Sequence, residues 1–297
     1  MRKIIKIAIL VLIIIVLVFL FRNIKNYRIH KILTDDYVSK YYVNELYKSK
    51  EINYRMVLDE KEKNIYGQII EGIISFKNEI AIDMTEYKFK NNISYSDKMQ
   101  KIIHCLVMDH PELIHFGWYR YRFNLDTKNL TIFPDYVMTK EKYKESISEI
   151  TFIIDEVKNA TVNMNEYEKV KYVYEYIGKS NNYGNTEDLM AQSAYSAFNK
   201  TLSPVCSGYA KSSQILFNNI GINALLIIGD QNYSLLLGEK HAWNAVEIER
   251  KFYLYDVTWS NYRQGEQFYE GFLLDPKRHK PYYKKSVPYL SKSNFKL

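Results

Sequence analysis

Through the first 180 residues the apolar positions recur mostly at helical spacing. In residues 58–77, for example, leucine and isoleucine side chains fall on one face and charged residues fill the other, as in a helix that packs one side on a core. A helix beginning near Ser96 is expected to stop before Pro111, because the residue before a proline avoids helical backbone. The same spacing predicts further helices over residues 35–50, 139–157 and 165–179.

Apolar and polar residues alternate between these helices. Residues 79–89 show this alternation and are expected to contain a strand,. Residues 113–124 and 130–137 form a predicted hairpin around a polar turn at 126–129,. The part of the chain from residue 32 to residue 160 is therefore predicted to be a mainly helical region that includes a β-hairpin.

The pattern changes after a polar loop at residues 180–188. A short helix is expected over 189–198, and a loop with Pro204 leads into a helix over 206–219 that Gly221 ends,. The remaining elements are a strand at 222–228 and a hairpin with strands at 241–248 and 252–259. Helices followed by antiparallel strands predict an α+β fold.

The register of the last hairpin brings two polar side chains onto one face. With residues 249–250 as a two-residue turn, His241 lies opposite Thr258, and Asp256 is its diagonal neighbour. Diagonal neighbours on one face are about 7–8 Å apart at the backbone, within side-chain reach. The pattern predicts a carboxylate that orients one imidazole, and an ordinary cross-strand polar pair is the alternative.

The N-terminus carries a different signal. Residues 7–21 are fifteen consecutive apolar residues, and Ile4 and Ile5 extend the run across Lys6. As a helix this segment is roughly 27 Å long, close to the ~30 Å hydrocarbon layer of a bilayer. Basic residues follow it instead of a small-residue cleavage site, so residues 1–31 are expected to be an uncleaved single-pass membrane anchor, with a cleaved signal peptide as the alternative. The very short N-terminal tail favours an extracellular body, although basic residues flank both ends of the run.

The positive charge of the chain belongs to this anchor. Residues 1–31 hold seven Lys and Arg and no acidic residue, and the remainder holds 34 basic and 34 acidic residues. The body is therefore formally neutral, which argues against nucleic acid as a partner. The basic flanks fit anionic lipid headgroups, so membrane lipid is the expected partner of the N-terminal helix.

Two cysteines, Cys105 and Cys206, are too few for a disulfide scaffold,. No ligand spacing indicates a metal site, and no cofactor is expected. Cys206 follows the loop with Pro204 and begins a predicted helix, where partial positive charge favours a thiolate and the N–H groups suit an oxyanion. The alternatives are a buried apolar cysteine or a bridge to Cys105, which would block thiol chemistry.

Three short blocks carry these residues: CSGYA at 206–210, HAWN at 241–244 and YDVTW at 255–259. In order and spacing they resemble the three signature blocks of the transglutaminase-like superfamily, which bear its catalytic Cys, His and Asp. The resemblance extends over about residues 190–260. It implies a papain-like core in which a helix packs on an antiparallel sheet, within a catalytic domain over residues 161–297.

The resemblance implies a catalytic triad in which Cys206 is the nucleophile, His241 the base and Asp256 the residue that orients the base. In two places the sequence departs from the family. Pro204 stands where a glycine is usual before the nucleophile, and Arg250 stands where the hairpin turn usually has glycine. Because arginine disfavours the positive φ of a tight turn, a wider or bulged loop is expected there.

The expected function is cysteine-dependent acyl transfer or amide hydrolysis on protein or peptide substrates at the cell envelope. Gln192 and Tyr195 lie just upstream of the nucleophile and are candidate side-chain donors to the oxyanion, with a packing role as the alternative. The rival interpretation is a catalytically silent domain that binds peptides or cell wall.

Overall fold

The computed structural model describes residues 53–273, except for 86, 88–91, 125, 180–181, 232–238 and 262–264. The predicted anchor at residues 7–21 and the predicted helix at 35–50 lie outside the described residues. Within the described part of the chain, no helix is both long and apolar enough to span a bilayer.

The first long helix, α1 (Glu60–Ile74), begins where the sequence provides a complete cap. The carboxylate of Asp59 accepts the backbone N–H of Glu62 at 2.8 Å, and the Glu62 side chain accepts the N–H of Asp59 at 2.9 Å. This reciprocal capping box satisfies two N–H groups that have no partner inside the helix. The predicted apolar face is confirmed by the buried side chains of Ile65, Ile69 and Ile73.

A three-stranded antiparallel sheet follows, with strand order β1-β3-β2. The predicted hairpin is confirmed: Tyr121 pairs with Ile132, and Asn124 pairs with Asn129 across the turn. The helix α2, which precedes this hairpin, ends at Asp109, two residues before Pro111, as expected. The bounds are β1 (Ile80–Asp83), α2 (Asn92–Asp109), β2 (Phe116–Asn124) and β3 (Asn129–Tyr136).

Two helices connect this sheet to the second half of the chain, and both were predicted. Helix α3 (Lys140–Thr161) starts after Thr139, whose hydroxyl accepts the N–H of Lys142. Helix α4 (Glu166–Gly178) starts after Asn165, which forms a second capping box with Glu168. Polar side chains at the N-cap thus set both starting points.

The predicted helix over residues 189–198 is only partly confirmed, since just α5 (Tyr195–Phe198) is helical. The turns before it are held by side chains that bond nearby backbone. Asp188 accepts the N–H of Met190 at 2.8 Å, and the Ser193 hydroxyl accepts the N–H of Tyr195 at 3.3 Å. Such local bonds compete with helix formation, which explains the shorter element.

The second sheet is antiparallel with order β4-β5-β6, and helix α6 (Cys206–Asn219) packs against its central strand. The helix begins at Cys206, as predicted. It ends just before Gly221, whose φ of 80° reverses the chain,. The strands are β4 (Ala224–Gln231), β5 (Glu239–Ile248) and β6 (Lys251–Tyr255).

The β5–β6 turn consists of two residues, so the expectation of a wider or bulged loop was wrong. Glu249 and Arg250 have φ of 50° and 62°, and Ile248 pairs directly with Lys251. Both central residues thus adopt the positive φ of a tight hairpin turn. The N–H of Glu249 donates to the carboxylate of Glu166 at 2.7 Å, a contact from α4 that helps to hold this strained backbone.

The strand predicted over 252–259 ends early, at Tyr255. The backbone N–H of Asp256 donates to the carbonyl of Gly271 at 2.8 Å instead of to β5. The carboxylate of Asp256 then accepts the N–H of Thr258 at 3.2 Å and caps a 3-10 turn, Val257–Ser260. The register predicted from the two-residue turn is correct up to Asn244, opposite Tyr255, and the predicted pairing of His241 with Thr258 is absent from the described ladder.

The N-terminal region and the second sheet share an apolar core. The hydroxyl of Tyr54 donates to the carbonyl of Leu226 at 2.5 Å, and the amide of Gln214 donates to the carbonyl of Met108 at 3.0 Å. The largest buried cluster joins residues of α1, α2 and the first sheet to residues of β4 and β5. A core therefore crosses the division near residue 160 that the sequence suggested.

Candidate active site

Cys206 is the first residue of α6. Val205 precedes it in extended backbone, with φ −100° and ψ −178°, and its N–H donates to the carbonyl of Ala191 at 3.0 Å. The first N–H groups of a helix have no partner inside it, so they present partial positive charge at the thiol. Cys206 is half-buried, whereas Cys105 is fully buried. Both cysteines lie among the described residues and neither forms a disulfide.

His241 and Asp256 form a buried pair beside this helix. They are 6% and 5% exposed, and Nε2 of His241 lies 2.7 Å from Oδ2 of Asp256. The ring also hydrogen-bonds the thiol of Cys206. The imidazole thus interacts with both the carboxylate of Asp256 and the thiol of Cys206. The structure thus brings together the three residues that the sequence singled out.

The surroundings of Cys206 favour its thiolate. Burial alone raises the pKa of the thiol, but the hydrogen bond and positive charge of His241 oppose it, together with the backbone N–H of Ala242. The net result is a pKa below the ordinary value of 9.0. A thiol with a lowered pKa is a stronger nucleophile near neutral pH, since the thiolate is the reactive form.

The same contacts keep the imidazole protonated. Burial lowers the pKa of His241, but the charge and hydrogen bond of Asp256 and the neighbouring Cys206 raise it to about 10. A lowered thiol pKa beside a raised imidazole pKa describes a thiolate–imidazolium pair. A thiolate beside an imidazolium is the form in which a cysteine is most nucleophilic near neutral pH.

Tyr183 also lies in the site, although the sequence analysis placed it in a polar loop with no role. Its hydroxyl lies beside Cys206, whose backbone N–H and thiol both shift the pKa of the phenol. Burial, with the nearby charge of Cys206, raises the pKa of this phenol to about 12. The local sequence pattern does not predict a contact between residues 23 positions apart. The one available signal is that Tyr183 is an aromatic residue next to Gly184 in an otherwise polar loop.

Lys211 is a second residue that the sequence analysis missed. It lies on α6, and its ammonium donates to the carbonyl of Gln192 at 3.0 Å. Burial lowers the pKa of Lys211 to about 8, and the charge of Cys206 opposes this shift. A cation close to the thiol adds to the positive surroundings of the thiolate.

The two expected oxyanion donors are engaged with other groups. The amide of Gln192 donates to the carbonyl of Thr186 at 3.2 Å. The hydroxyl of Tyr195, which is buried, donates to the carboxylate of Glu149 at 2.6 Å. Neither bond leads to Cys206, and a role for these two residues in catalysis stays a prediction.

No cluster of three or more His, Cys, Asp or Glu side chains that could hold a metal ion occurs within the described ranges.

Trp243 packs beside the site, with its ring 5.8 Å from the His241 ring at an interplanar angle of 22°. Trp243 is 2% exposed, so it forms a wall behind the imidazole and does not offer a surface to a ligand.

The fold and the site define an α+β domain with a thiol, an imidazole and a carboxylate in contact at the start of a helix. Residues 156–261 match the family model Transglut_core, described as the transglutaminase-like superfamily. This part of the chain is a transglutaminase-like domain, and the match supports a cysteine-dependent type of enzyme.

The solved structures that are similar to this chain include the following two. One is a TGase, with 14% identity and a TM-score of 0.36, covering 53% of this chain and 48% of that one. The other is a proposed cysteine protease from Cytophaga hutchinsonii, with 13% identity and a TM-score of 0.30, covering 48% of this chain and 61% of that one. The chain thus spans about half to three fifths of these structures. No curated protein matches the sequence.

Proposed function

We propose that the chain catalyses cysteine-dependent acyl transfer or amide hydrolysis on protein or peptide substrates. Cys206 is the nucleophile, His241 is the base and acid, and Asp256 orients the imidazole. One observation carries the proposal: the His241 ring lies 2.7 Å from the Asp256 carboxylate and beside the Cys206 thiol, with which it interacts.

In the first half of the reaction the Cys206 thiolate attacks the amide carbonyl. A sulfur–carbon bond forms, and the carbonyl electron pair moves to oxygen. As the carbon–nitrogen bond breaks, the nitrogen takes the proton of the His241 imidazolium and leaves as an amine. The product is an acyl-enzyme, a thioester on Cys206, with His241 neutral.

In the second half an acceptor attacks the thioester. Water or an amine gives a proton to His241 and forms its bond to the carbonyl carbon. The sulfur–carbon bond then breaks and returns the thiolate beside a protonated His241. Water as the acceptor gives hydrolysis and an amine gives transfer, and the proton that His241 gave to the leaving amine is restored by the acceptor.

The N-terminal sequence supports a site of action at the cell envelope. The apolar run at residues 7–21 supports attachment to a membrane as a single-pass anchor, with the catalytic domain outside the cell. Proteins or peptides of the cell envelope would then be the substrates. Labelling of intact cells with a membrane-impermeant thiol probe tests this placement, since an inward-facing domain would stay unlabelled until the cells are lysed.

A thiol-directed acyl probe tests the chemistry. We expect labelling of the wild type and of Cys105→Ala, and none of Cys206→Ala. Cys105→Ala is the matched control because it removes the other cysteine, which is fully buried. Equal labelling of Cys206→Ala and the wild type would refute the proposal, and a wild type that binds peptides without acylation would indicate a binding module.

A further inference from the structure

Tyr183 is held against the segment that leads into the nucleophile. The N–H of the next residue, Gly184, donates to the carbonyl of Pro204 at 2.9 Å. A Cβ added to Gly184 would lie 2.0 Å from the carbonyl oxygen of Ser203, closer than any contact allows. Glycine therefore permits this approach, and the approach places Tyr183 next to Cys206.

The ring of Tyr183 rests on a residue of the nucleophile helix. It is nearly parallel to the ring of Tyr209, with centroids 6.4 Å apart and an interplanar angle of 22°. Tyr209 is itself buried, and its hydroxyl accepts the amide of Asn261 at 3.1 Å. Because Tyr209 lies one helical turn beyond Cys206, the helix that carries the sulfur also positions the phenol.

The Tyr183 hydroxyl lies where the chemistry creates charge. It lies beside Cys206, close enough that both the backbone N–H and the side chain of Cys206 shift its pKa. When the thiolate attacks a carbonyl, the oxygen that becomes negative must lie near the sulfur, within reach of that same N–H. A phenol beside both the N–H and the sulfur therefore borders the position of the oxyanion.

We propose that Tyr183 is a catalytic residue that donates its O–H to the oxyanion, together with the backbone N–H of Cys206. The inference rests on the proposed acyl chemistry and names the side-chain donor for it. Tyr183 replaces Gln192 and Tyr195 in that role, since their donors bond Thr186 and Glu149.

The exchange of hydrogen bonds follows the charge. In the resting site the negative charge is on the sulfur, and Tyr183 donates to it. On attack the charge moves to the carbonyl oxygen, and the sulfur of the new carbon–sulfur bond becomes a weak acceptor. The O–H then turns to the oxygen and no proton is transferred. With its pKa raised to about 12, the phenol stays protonated and can donate throughout the neutral range.

The variant Tyr183→Phe separates this role from activation of the thiol. Its acylation by an activated ester passes through an oxyanion, whereas alkylation by iodoacetamide does not. We expect the plateau rate of acylation to fall by about 10²–10³-fold, the effect of removing one oxyanion donor. The plateau rate of alkylation at high pH should stay close to that of the wild type. Tyr172→Phe, which removes a phenol hydroxyl from α4, is the matched control and should leave both rates unchanged.

The outcomes can be told apart. Unchanged or faster acylation by Tyr183→Phe would overturn the inference while leaving Cys206 as the nucleophile. An equal fall in both rates would overturn it too, because Tyr183 would then act only on the thiolate. Absence of acylation in the wild type would instead refute the proposed function itself.

A fluorinated tyrosine at position 183 provides a second test that keeps the size and ring contacts of the residue. Fluorination lowers the pKa of the phenol, so the donor is lost at lower pH. With enough fluorine atoms to bring the pKa of the phenol below that of His241, about 10, we expect acylation to decline at lower pH than in the wild type, while alkylation keeps its plateau at high pH. An unmoved acylation profile would contradict the role.

Discussion

Oδ2 of Asp256 lies 2.7 Å from Nε2 of His241, while the backbone N–H of Asp256 bonds the carbonyl of Gly271 and not the neighbouring strand. The carboxylate therefore reaches the imidazole from beyond the end of β6. Its position depends on the segment around Gly271 as well as on the sheet. This makes the orientation of the base sensitive to changes at both places.

Replacing Asp256 by asparagine should impair the chemistry while keeping the shape of the site. An amide does not carry the charge that stabilises the imidazolium, and it can favour the wrong tautomer. We expect acylation of Cys206 to slow by about 10²–10⁴-fold, measured as kcat/KM with an activated ester. Asp135→Asn is the control, because Asp135 forms only an exposed ion pair with Arg120. A wild-type rate for Asp256→Asn would show that acylation does not depend on the negative charge of Asp256.

The rate at which iodoacetamide alkylates Cys206 should rise at a lower pH than the rate for an ordinary thiol. Burial raises the pKa of Cys206, but His241 and the N–H of Ala242 bring it below 9.0, so the thiolate already forms below that pH. In His241→Ala the imidazole no longer opposes the effect of burial on the pKa of Cys206. The rise in the alkylation rate should therefore move to higher pH. Acyl transfer should also decline near pH 10, where His241 loses its proton. Identical alkylation profiles for the two proteins would contradict the ion pair.

Replacing Lys211 by methionine should change how stability depends on pH. Burial lowers the pKa of Lys211 from 10.5 to about 8, so between these values the unfolded chain binds the proton more strongly than the folded one. The stability contributed by this group therefore rises with pH across that window. We expect the stability of Lys211→Met relative to wild type to be greatest below pH 8 and to shrink as pH approaches 10.5.

Urea unfolding of both proteins at several pH values measures this difference. Groups that titrate in both proteins cancel in the comparison. A difference that stays constant from pH 7 to 10.5 would contradict a lowered pKa for Lys211. Whether Lys211→Met is more or less stable than the wild type at pH 7 also depends on the lost hydrogen bond to Gln192. The change of the stability difference with pH is therefore the decisive quantity.

Replacing Gly271 by alanine should damage both stability and activity. The added Cβ would lie 1.8 Å from the carbonyl oxygen of Asp256, so one of the two backbone segments must move. We expect the free energy of unfolding to fall by about 1–3 kcal/mol and acylation to slow, because Asp256 is displaced from His241. Gly67→Ala is the control: no atom lies within 4 Å of its Cβ, and helix propensity predicts a gain of about 0.5–1 kcal/mol. Wild-type acylation by Gly271→Ala would show that the site tolerates this shift.

The sequence predicts most helices well because their ends are encoded locally. Asp59, Thr139 and Asn165 each cap the helix that follows, and a cap depends on only a few residues. The register of β5 and β6 was also predictable, since a two-residue turn determines which residues pair. Cys206, His241 and Asp256 could be singled out because each lies in a short block of distinctive sequence.

Structural features that depend on contacts between residues far apart in the chain could not be predicted from local sequence patterns. β6 ends at Tyr255 because Asp256 bonds Gly271, and no pattern within the strand shows that partner. The two-residue turn with Arg250 persists although its own propensity opposes it, with Glu166 bonded to the turn. Tyr183 and Lys211 were missed because their contacts with the site arise only when loops and helices pack together.

The core shared by the N-terminal helices and the second sheet bears on how such a protein can change during evolution. His241 lies on β5 beside Trp243, and Trp243 belongs to the same buried cluster as Ile102 and Ile69. A recombination event that joined residues 161–273 to a new partner would expose this cluster to water. The two regions are therefore expected to be inherited together, and substitutions on α1 or α2 are expected to shift the position of His241 without lying at the candidate site.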